Sequence, residues 1–98
     1  MHMVIRTYTG PGAKELFDLL TERAAEIESV MRSVNGFLSY TLARSHDGGV
    51  AVTVCKDFAG AMESLDKAKQ WVAKNAAHTG VGPPKASDGV VIVHASAG

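Results

Sequence analysis

Residues 37–56, FLSYTLARSHDGGVAVTVCK, decide the fold of this protein. The two ends of this stretch are rich in β-branched, aliphatic and aromatic residues, which favour strands. Between them lies His46-Asp47-Gly48-Gly49, in which Asp-Gly accepts the positive φ angles that a tight hairpin requires. The stretch therefore predicts an antiparallel hairpin with strands at 37–45 and 50–56.

A helix is predicted on each side of this hairpin. Before it, residues 13–34 carry apolar side chains at spacings of three and four, which is the pattern of one helical face. These side chains are Leu16, Leu20, Ala24, Ile27, Met31 and Val34. After the hairpin, Asp57 can accept hydrogen bonds from the free N–H groups of a helix at 58–78. Asn35-Gly36 predicts the end of the first helix, because both residues tolerate a left-handed conformation.

The two ends of the chain complete the pattern. Residues 2–9 (HMVIRTYT) and 90–95 (VVIVHA) predict strands, while 79–88, with two glycines and Pro83-Pro84, predicts a loop. The order is β-α-β-β-α-β. Right-handed crossovers then predict a ferredoxin-like α+β fold, a four-stranded antiparallel sheet with both helices on one face. We expect one domain spanning residues 1–98, since 98 residues are too few for two.

Composition and charge exclude several classes of function. Apolar residues make up 46% of the chain, which argues against disorder. Ten basic and ten acidic residues give zero net charge, so no basic stripe predicts nucleic acid or a membrane surface as partner. No apolar stretch approaches the roughly 20 residues that cross a bilayer, and no signal-peptide pattern precedes the first strand. One cysteine, Cys55, cannot form an internal disulfide, so a cytoplasmic location is expected.

The strand residues predict self-association. In the last three strands both sets of alternating positions are largely apolar or small, although two helices can cover only one face of the sheet. An exposed apolar face of several hundred Å² is a liability in a monomer. We therefore predict a homodimer that packs sheet face against sheet face. Zero net charge leaves little long-range repulsion to oppose that association.

Several short stretches make the sequence similar to the dimeric α/β-barrel superfamily, and most of all to its antibiotic-biosynthesis-monooxygenase-like proteins. They are residues 36–40 (GFLSY), 47–49 (DGG), 56–57 (KD), 68–72 (AKQWV) and 90–95 (VVIVHA). The resemblance spans nearly the whole chain. It implies a dimeric α+β barrel with a small-molecule pocket in each subunit, between the sheet and the helices.

The resemblance leads to three hypotheses about function. The first is a cofactor-independent monooxygenase of an aromatic or polyketide-like compound, which needs a proton acceptor, donors to a developing oxyanion and an apolar enclosure. It implies a small aromatic ligand and no cofactor. The second is a non-catalytic binding or stress-related barrel dimer, which a filled core would favour. The third, haem binding or degradation, is weaker, because the haem-degrading branch uses a strand-one Asn with a His and a Trp, and strand one here has no Asn.

Three residues are the candidate catalytic groups. His94 is the expected base, because the pKa of an unperturbed histidine lies near neutrality; the alternative is a packing residue on the last strand. Arg6 and Tyr40 are the expected oxyanion contacts. Arg6 shares a strand face with Val4 and Tyr8, and a buried arginine needs a carboxylate or a bound anion. A structural ion pair, including one across a dimer, is the alternative for Arg6, and cross-strand packing is the alternative for Tyr40.

Three further residues are candidates for substrate binding. Trp71, the only tryptophan, would stack a flat substrate as a pocket wall, or else cover the edge of the core. Tyr8 would donate to a substrate oxygen, or else pack across strands. His78 would contact substrate, or else act as a cation at a helix C-terminus. No metal site is expected, because the four histidines have no ligand spacing. Cys55 is interpreted as a small buried residue.

Overall fold

A computed structural model describes all residues, 1–98, and confirms the ferredoxin-like α+β fold. The elements are β1 His2–Tyr8, α1 Ala13–Glu22, α2 Ala24–Arg32, β2 Phe37–Ser45, β3 Gly48–Cys55, α3 Phe58–Asn75, a 3₁₀ turn Ala77–Thr79 and β4 Lys85–Val90. The four strands form one antiparallel sheet in the order β2-β3-β1-β4. None of the helices is both long enough and apolar enough to span a membrane.

The central hairpin agrees with its prediction. β2 has the predicted bounds, and β3 begins two residues early because Gly48 and Gly49 pair with Ser45 and Arg44. Only residues 46–47 remain as the turn. The predicted cap of α3 is also present, since Asp57 Oδ1 accepts a hydrogen bond of 2.9 Å from Gly60 N.

The single helix predicted over 13–34 is wrong in one respect, because it is broken at Arg23. The backbone of Arg23 leaves helical geometry, with φ −111° and ψ 31°, so that α1 and α2 are separate segments. The physical reason is packing: α1 lies against β3, whereas α2 lies against α3 and β2. The hydroxyl of Thr21 donates to Phe17 O at 2.7 Å, a bond that bends helices.

The prediction for the last strand is wrong. The strand occupies Lys85–Val90, inside the predicted loop, and residues 91–98 are irregular. The reason is the length of β1, its only neighbour, which pairs from Thr7 opposite Lys85 to His2 opposite Val90 and has no further strand residue to offer. The helix before it also ends early, at Asn75 rather than His78, and continues as the 3₁₀ turn.

The core lies between the helices and one face of the sheet, here called the inner face. Val4, Arg6 and Tyr8 of β1 point to this face, as their shared alternation predicts, and all three are buried. The buried cluster comprises Tyr8, Ala13, Leu16, Phe17, Leu20, Ile27, Met31, Ala68, Trp71 and Ala76. The opposite, outer face carries the other set of alternating residues, among them Met3, Ile5, Val50 and Val52, which are only half-buried.

Candidate functional site

The inner face of β3 is lined by small residues, and this makes room for the site. Gly49, Ala51, Thr53 and Cys55 alternate along β3, between β1 and β2. Larger side chains from the neighbouring elements fill the space above them. A Cβ atom on Gly49 would meet the ring of Phe17 and, at 2.6 Å, the carbonyl oxygen of Ala43. A glycine is therefore required here for close packing.

Arg6 lies in this space as a buried cation. Its residue is 3% exposed, and no carboxylate of the chain forms an ion pair with it. Its Nη1 donates a long hydrogen bond of 3.4 Å to the hydroxyl of Tyr8, and the guanidinium also lies near the hydroxyl of Tyr40. The other two nitrogens, Nε and Nη2, are buried without a partner. Such a group is costly unless something occupies the space beside it, so Arg6 is suited to hold an anion.

Tyr40 and Thr53 complete the set that we call the polar centre, which consists of Arg6, Tyr8, Tyr40 and Thr53. Tyr40 of β2 stands opposite Thr53 of β3. Burial raises the pKa of the Tyr40 hydroxyl, and the nearby charge of Arg6 opposes part of that rise. Tyr40 therefore stays protonated at neutral pH and can donate a hydrogen bond. Thr53 Oγ1 is buried and has no partner either.

Two clefts share lining residues with the polar centre. The β2 cleft, of about 680 Å³, lies between β2 and the α1–α2 segment, and Tyr40 forms part of its wall. The β4 cleft, of about 420 Å³, lies beside β1, β4 and α3, and Arg6 and Tyr8 form part of its wall. Apolar side chains supply most of both linings, so a flat organic molecule could be bound with its polar atoms at the centre.

Trp71 takes a different position from the pocket wall that the sequence suggests. It is buried between α2 and α3 and lines neither cleft. Its Nε1 donates to Glu26 Oε2 at 2.8 Å, and the guanidinium of Arg23 lies 5.2 Å from the ring centroid. Hydrogen bonds from Arg23 and then Trp71 hold the pKa of Glu26 below its usual range. This cluster fixes the Arg23 break and joins α2 to α3.

The two candidate histidines lie outside both clefts. His94 is exposed and follows β4, so its predicted place on the last strand is wrong for the same reason as the strand itself. His78 is exposed in the 3₁₀ turn after α3. This is the place assumed in its alternative interpretation as a cation at a helix C-terminus. Cys55 is buried, and burial raises the pKa of its thiol, which does not favour a nucleophile.

The structure thus brings together Arg6, Tyr8 and Tyr40 among the candidates, and adds Thr53. Thr53 is not among the site residues that the sequence predicts. The available signal was a hydroxyl on the strand position that shares a face with Ala51 and Cys55, since a polar side chain among small buried residues requires a partner. That signal becomes useful only when the inner face of β3 is known.

Three solved structures illustrate what the fold is similar to. A monooxygenase from the gene ActVA-Orf6 of Streptomyces coelicolor, in complex with nanaomycin D, is 19% identical, with a TM-score of 0.66 and coverage of 99% of this chain and 92% of that chain. A mutant of MhuD, a haem degrader of Mycobacterium tuberculosis, with two manganese protoporphyrin IX bound per active site, is 16% identical, with a TM-score of 0.66 and 98% coverage of both chains.

The third is a dimeric ferredoxin-like protein from an uncultured marine organism, 11% identical, with a TM-score of 0.64 and coverage of 98% of this chain and 96% of that chain. At these identities the similarity establishes the fold alone. No protein-family profile and no curated protein sequence matches the chain.

The residues of the clefts do not fit a haem. Neither lining contains a histidine, cysteine or methionine that could serve as axial ligand, and Tyr8 and Tyr40 are the only residues there of a haem-ligating type. Trp71, which the haem hypothesis would place at the site, is enclosed by the α2–α3 contact.

Proposed function

We propose, from the ferredoxin-like fold that this chain shares with antibiotic-biosynthesis-monooxygenase-like proteins, that it binds a small aromatic molecule as its anion and oxidises it without a cofactor. The observation that carries the proposal is Arg6, a buried guanidinium with two unpartnered nitrogens in the wall of the largely apolar β4 cleft. A phenolate or enolate oxygen placed there would satisfy the cation. The proposal takes its substrate class from the ligand-bound monooxygenase of the same fold.

The polar centre would act by stabilising negative charge. Arg6 would hold the oxygen of the deprotonated substrate, and Tyr40, which keeps its proton, would donate a second hydrogen bond to it. The apolar cleft walls would exclude water, which strengthens both interactions. A substrate CH₂ group that has lost a proton then reduces O₂ and forms a C–OOH group. Loss of water from that group leaves a ketone, so that CH₂ and O₂ become C=O and H₂O.

The cleft residues of a single chain offer few candidates for the proton acceptor that the reaction requires. The only carboxylate on either lining is Glu28, which lies at the exposed rim of the β2 cleft and binds Arg32 at 2.8 Å. No histidine lines either cleft. Stabilisation of the substrate anion by Arg6 therefore has to provide much of the driving force for deprotonation.

Oxygen uptake with a panel of anthrones and hydroxynaphthalenes tests the enzymatic proposal. We expect uptake of one O₂ per substrate by the wild-type protein, with a loss of roughly 10-fold or more in Tyr40→Phe because one donor to the oxyanion is removed. Ser29→Ala, which removes an exposed hydroxyl that lines neither cleft, is the control and should keep the wild-type uptake. Saturable binding of a panel member without oxygen uptake would instead support the non-catalytic binding hypothesis.

We also propose that the protein is a homodimer that packs through its outer sheet face. No helix covers this face, and its centre is formed by the half-buried aliphatic side chains of Met3, Ile5, Val50 and Val52. An apolar surface of this kind marks an interface. The solved dimeric ferredoxin-like protein of the same fold adds support.

A charge at the centre of this face should separate the subunits. Val52 stands between Ile5 and Thr41, so Val52→Asp would place a carboxylate in the apolar contact. In light scattering at micromolar concentration we expect twice the chain mass of 10.3 kDa for wild type and the single mass for the variant. Ser29→Asp, on the exposed surface of α2, is the control and should stay dimeric. A monomeric wild type would exclude the proposed dimer.

A further inference from the structure

The lining of the β4 cleft carries positive charge and no negative charge. Of its 13 residues, only Arg6, Tyr8 and Lys69 have polar side chains, and all three can donate hydrogen bonds. None of the lining residues is acidic. Two cations therefore border an otherwise apolar space, in a chain whose basic and acidic residues are equal in number. A ligand that matches this lining has negative charge and an apolar body.

Lys69, the second of these cations, has no carboxylate partner. It is exposed and takes part in none of the ion pairs of the chain. Lys67 of the same helix differs, because its amine lies 3.4 Å from a carboxylate oxygen of Glu63. An anionic group of a ligand would therefore meet no competitor for Lys69 within the chain.

The spacing along α3 explains how Lys69 comes to line the cleft. Leu65, Val72 and Ala73 lie three or four positions from Lys69, so the four residues share one face of the helix, and all of them line the cleft. Leu65 and Val72 are half-buried, whereas Lys69 and Ala73 are exposed. Lys69 is thus placed where the lining reaches solvent, while Arg6 is its buried cation.

The β2 cleft differs in the state of its cations. Its lining contains Arg32 and Arg44, but Arg32 binds Glu28 at 2.8 Å and Arg44 binds Asp18. Both guanidinium charges are therefore already neutralised by carboxylates of the chain. Charge complementarity favours an anionic ligand in the β4 cleft over one in the β2 cleft.

We propose that the ligand of the β4 cleft is a hydroxy-aromatic acid with two anionic groups, a phenolate or enolate oxygen at Arg6 and a carboxylate at Lys69. The inference rests on the proposed function, which places the first oxygen at Arg6, and it adds the second group and the residue that selects for it. The cleft, of about 420 Å³, falls within the range of roughly 300–1,000 Å³ that is typical of small-molecule sites. A carboxylate beside the exposed Lys69 keeps part of its hydration, so the contact avoids the desolvation cost of a buried ion pair.

Binding of two matched probes tests the role of Lys69. One probe is a hydroxynaphthoate with its hydroxyl and carboxylate on opposite rings, and the other is the hydroxynaphthamide, in which a neutral amide of similar size replaces the carboxylate. We expect the wild-type protein to bind the hydroxynaphthoate about fivefold more tightly, as an exposed charge pair allows. This preference should decrease as the salt concentration rises, because the pair is open to solvent.

Variants of α3 assign the preference to one side chain. In Lys69→Met the two probes should bind equally, and Lys69→Arg, which keeps the charge, should retain the preference. Lys74→Met removes another exposed charge of the same helix, at a position that lines neither cleft, and should also retain it. A preference that persists in Lys69→Met would show that another group holds the carboxylate, and so would overturn the inference.

The absorption spectrum of the bound probe separates this inference from the proposed function, because ionisation of a naphthol shifts its absorption to longer wavelength. Equal binding of the two probes to wild type, with the spectrum of the naphtholate, would reject the role of Lys69 and leave the anion site at Arg6 intact. The spectrum of the neutral naphthol in both complexes, or no saturable binding of either probe, would overturn both.

Discussion

Replacement of Arg6 by methionine is expected to abolish function while the folded state keeps its stability. The Arg6 guanidinium has no carboxylate partner in the chain, and two of its nitrogens bond to nothing. An unpaired buried charge destabilises the folded state. Methionine is unbranched and apolar, so it can fill the same space between the clefts. We therefore expect the free energy of unfolding without ligand to be unchanged or raised, by up to about 3 kcal/mol.

Unlike its effect on stability, the same substitution of Arg6 should weaken the stabilisation of the substrate anion and so lower the reaction rate. Arg6 is the only cation of the polar centre, and loss of one preorganised oxyanion donor typically costs about 10²- to 10³-fold in rate. Urea unfolding without ligand and oxygen uptake with the active panel member measure the two effects. Arg6→Lys keeps the charge without the fork of donors and should be intermediate in activity. Loss of stability together with normal activity would assign Arg6 to the structural ion pair that the sequence left as its alternative.

Replacement of Phe17 by alanine is expected to have the largest effect on stability. Phe17 is 2% exposed and lies over Gly49, with its ring centroid 5.9 Å from that of Tyr8. Removing a buried phenylalanine ring costs about 3–5 kcal/mol, because the cavity closes only in part. A domain of this size is stable by only about 5–15 kcal/mol. The urea midpoint should therefore fall by a large fraction, and Phe58→Ala, at a residue 56% exposed, should change it little.

The contact with Gly49 gives this prediction a second readout. Gly49→Ala places a methyl group against the Phe17 ring, so it should be strongly destabilising in wild type. In the Phe17→Ala background the ring is absent, and the same glycine change should cost less, although the contact with Ala43 O remains. Additive losses of stability in the double variant would show that the Phe17 ring is not what excludes a Cβ atom at position 49.

The features that depend on residues close together in the sequence were predictable from the sequence. The hairpin follows from residues 37–56, the cap from Asp57, and the helices from apolar residues three and four positions apart. The shared face of Arg6 and Tyr8 also follows from simple alternation. Each of these features depends on neighbours a few residues away, where turn, cap and periodicity determine the backbone.

The tertiary structure alone decided what depends on distant partners. The register of β4 is set by the seven residues that β1 has available, which moved the strand away from His94 and left residues 91–98 irregular. The break at Arg23 serves two different packing surfaces, and Trp71 is turned to Glu26 rather than to a cleft. The polar centre exists because the inner face of β3 is small, which lets Arg6 and Tyr40 approach across it. The sequence determined the order and type of the elements, whereas contacts between strands far apart in the chain determined which side chains share the site.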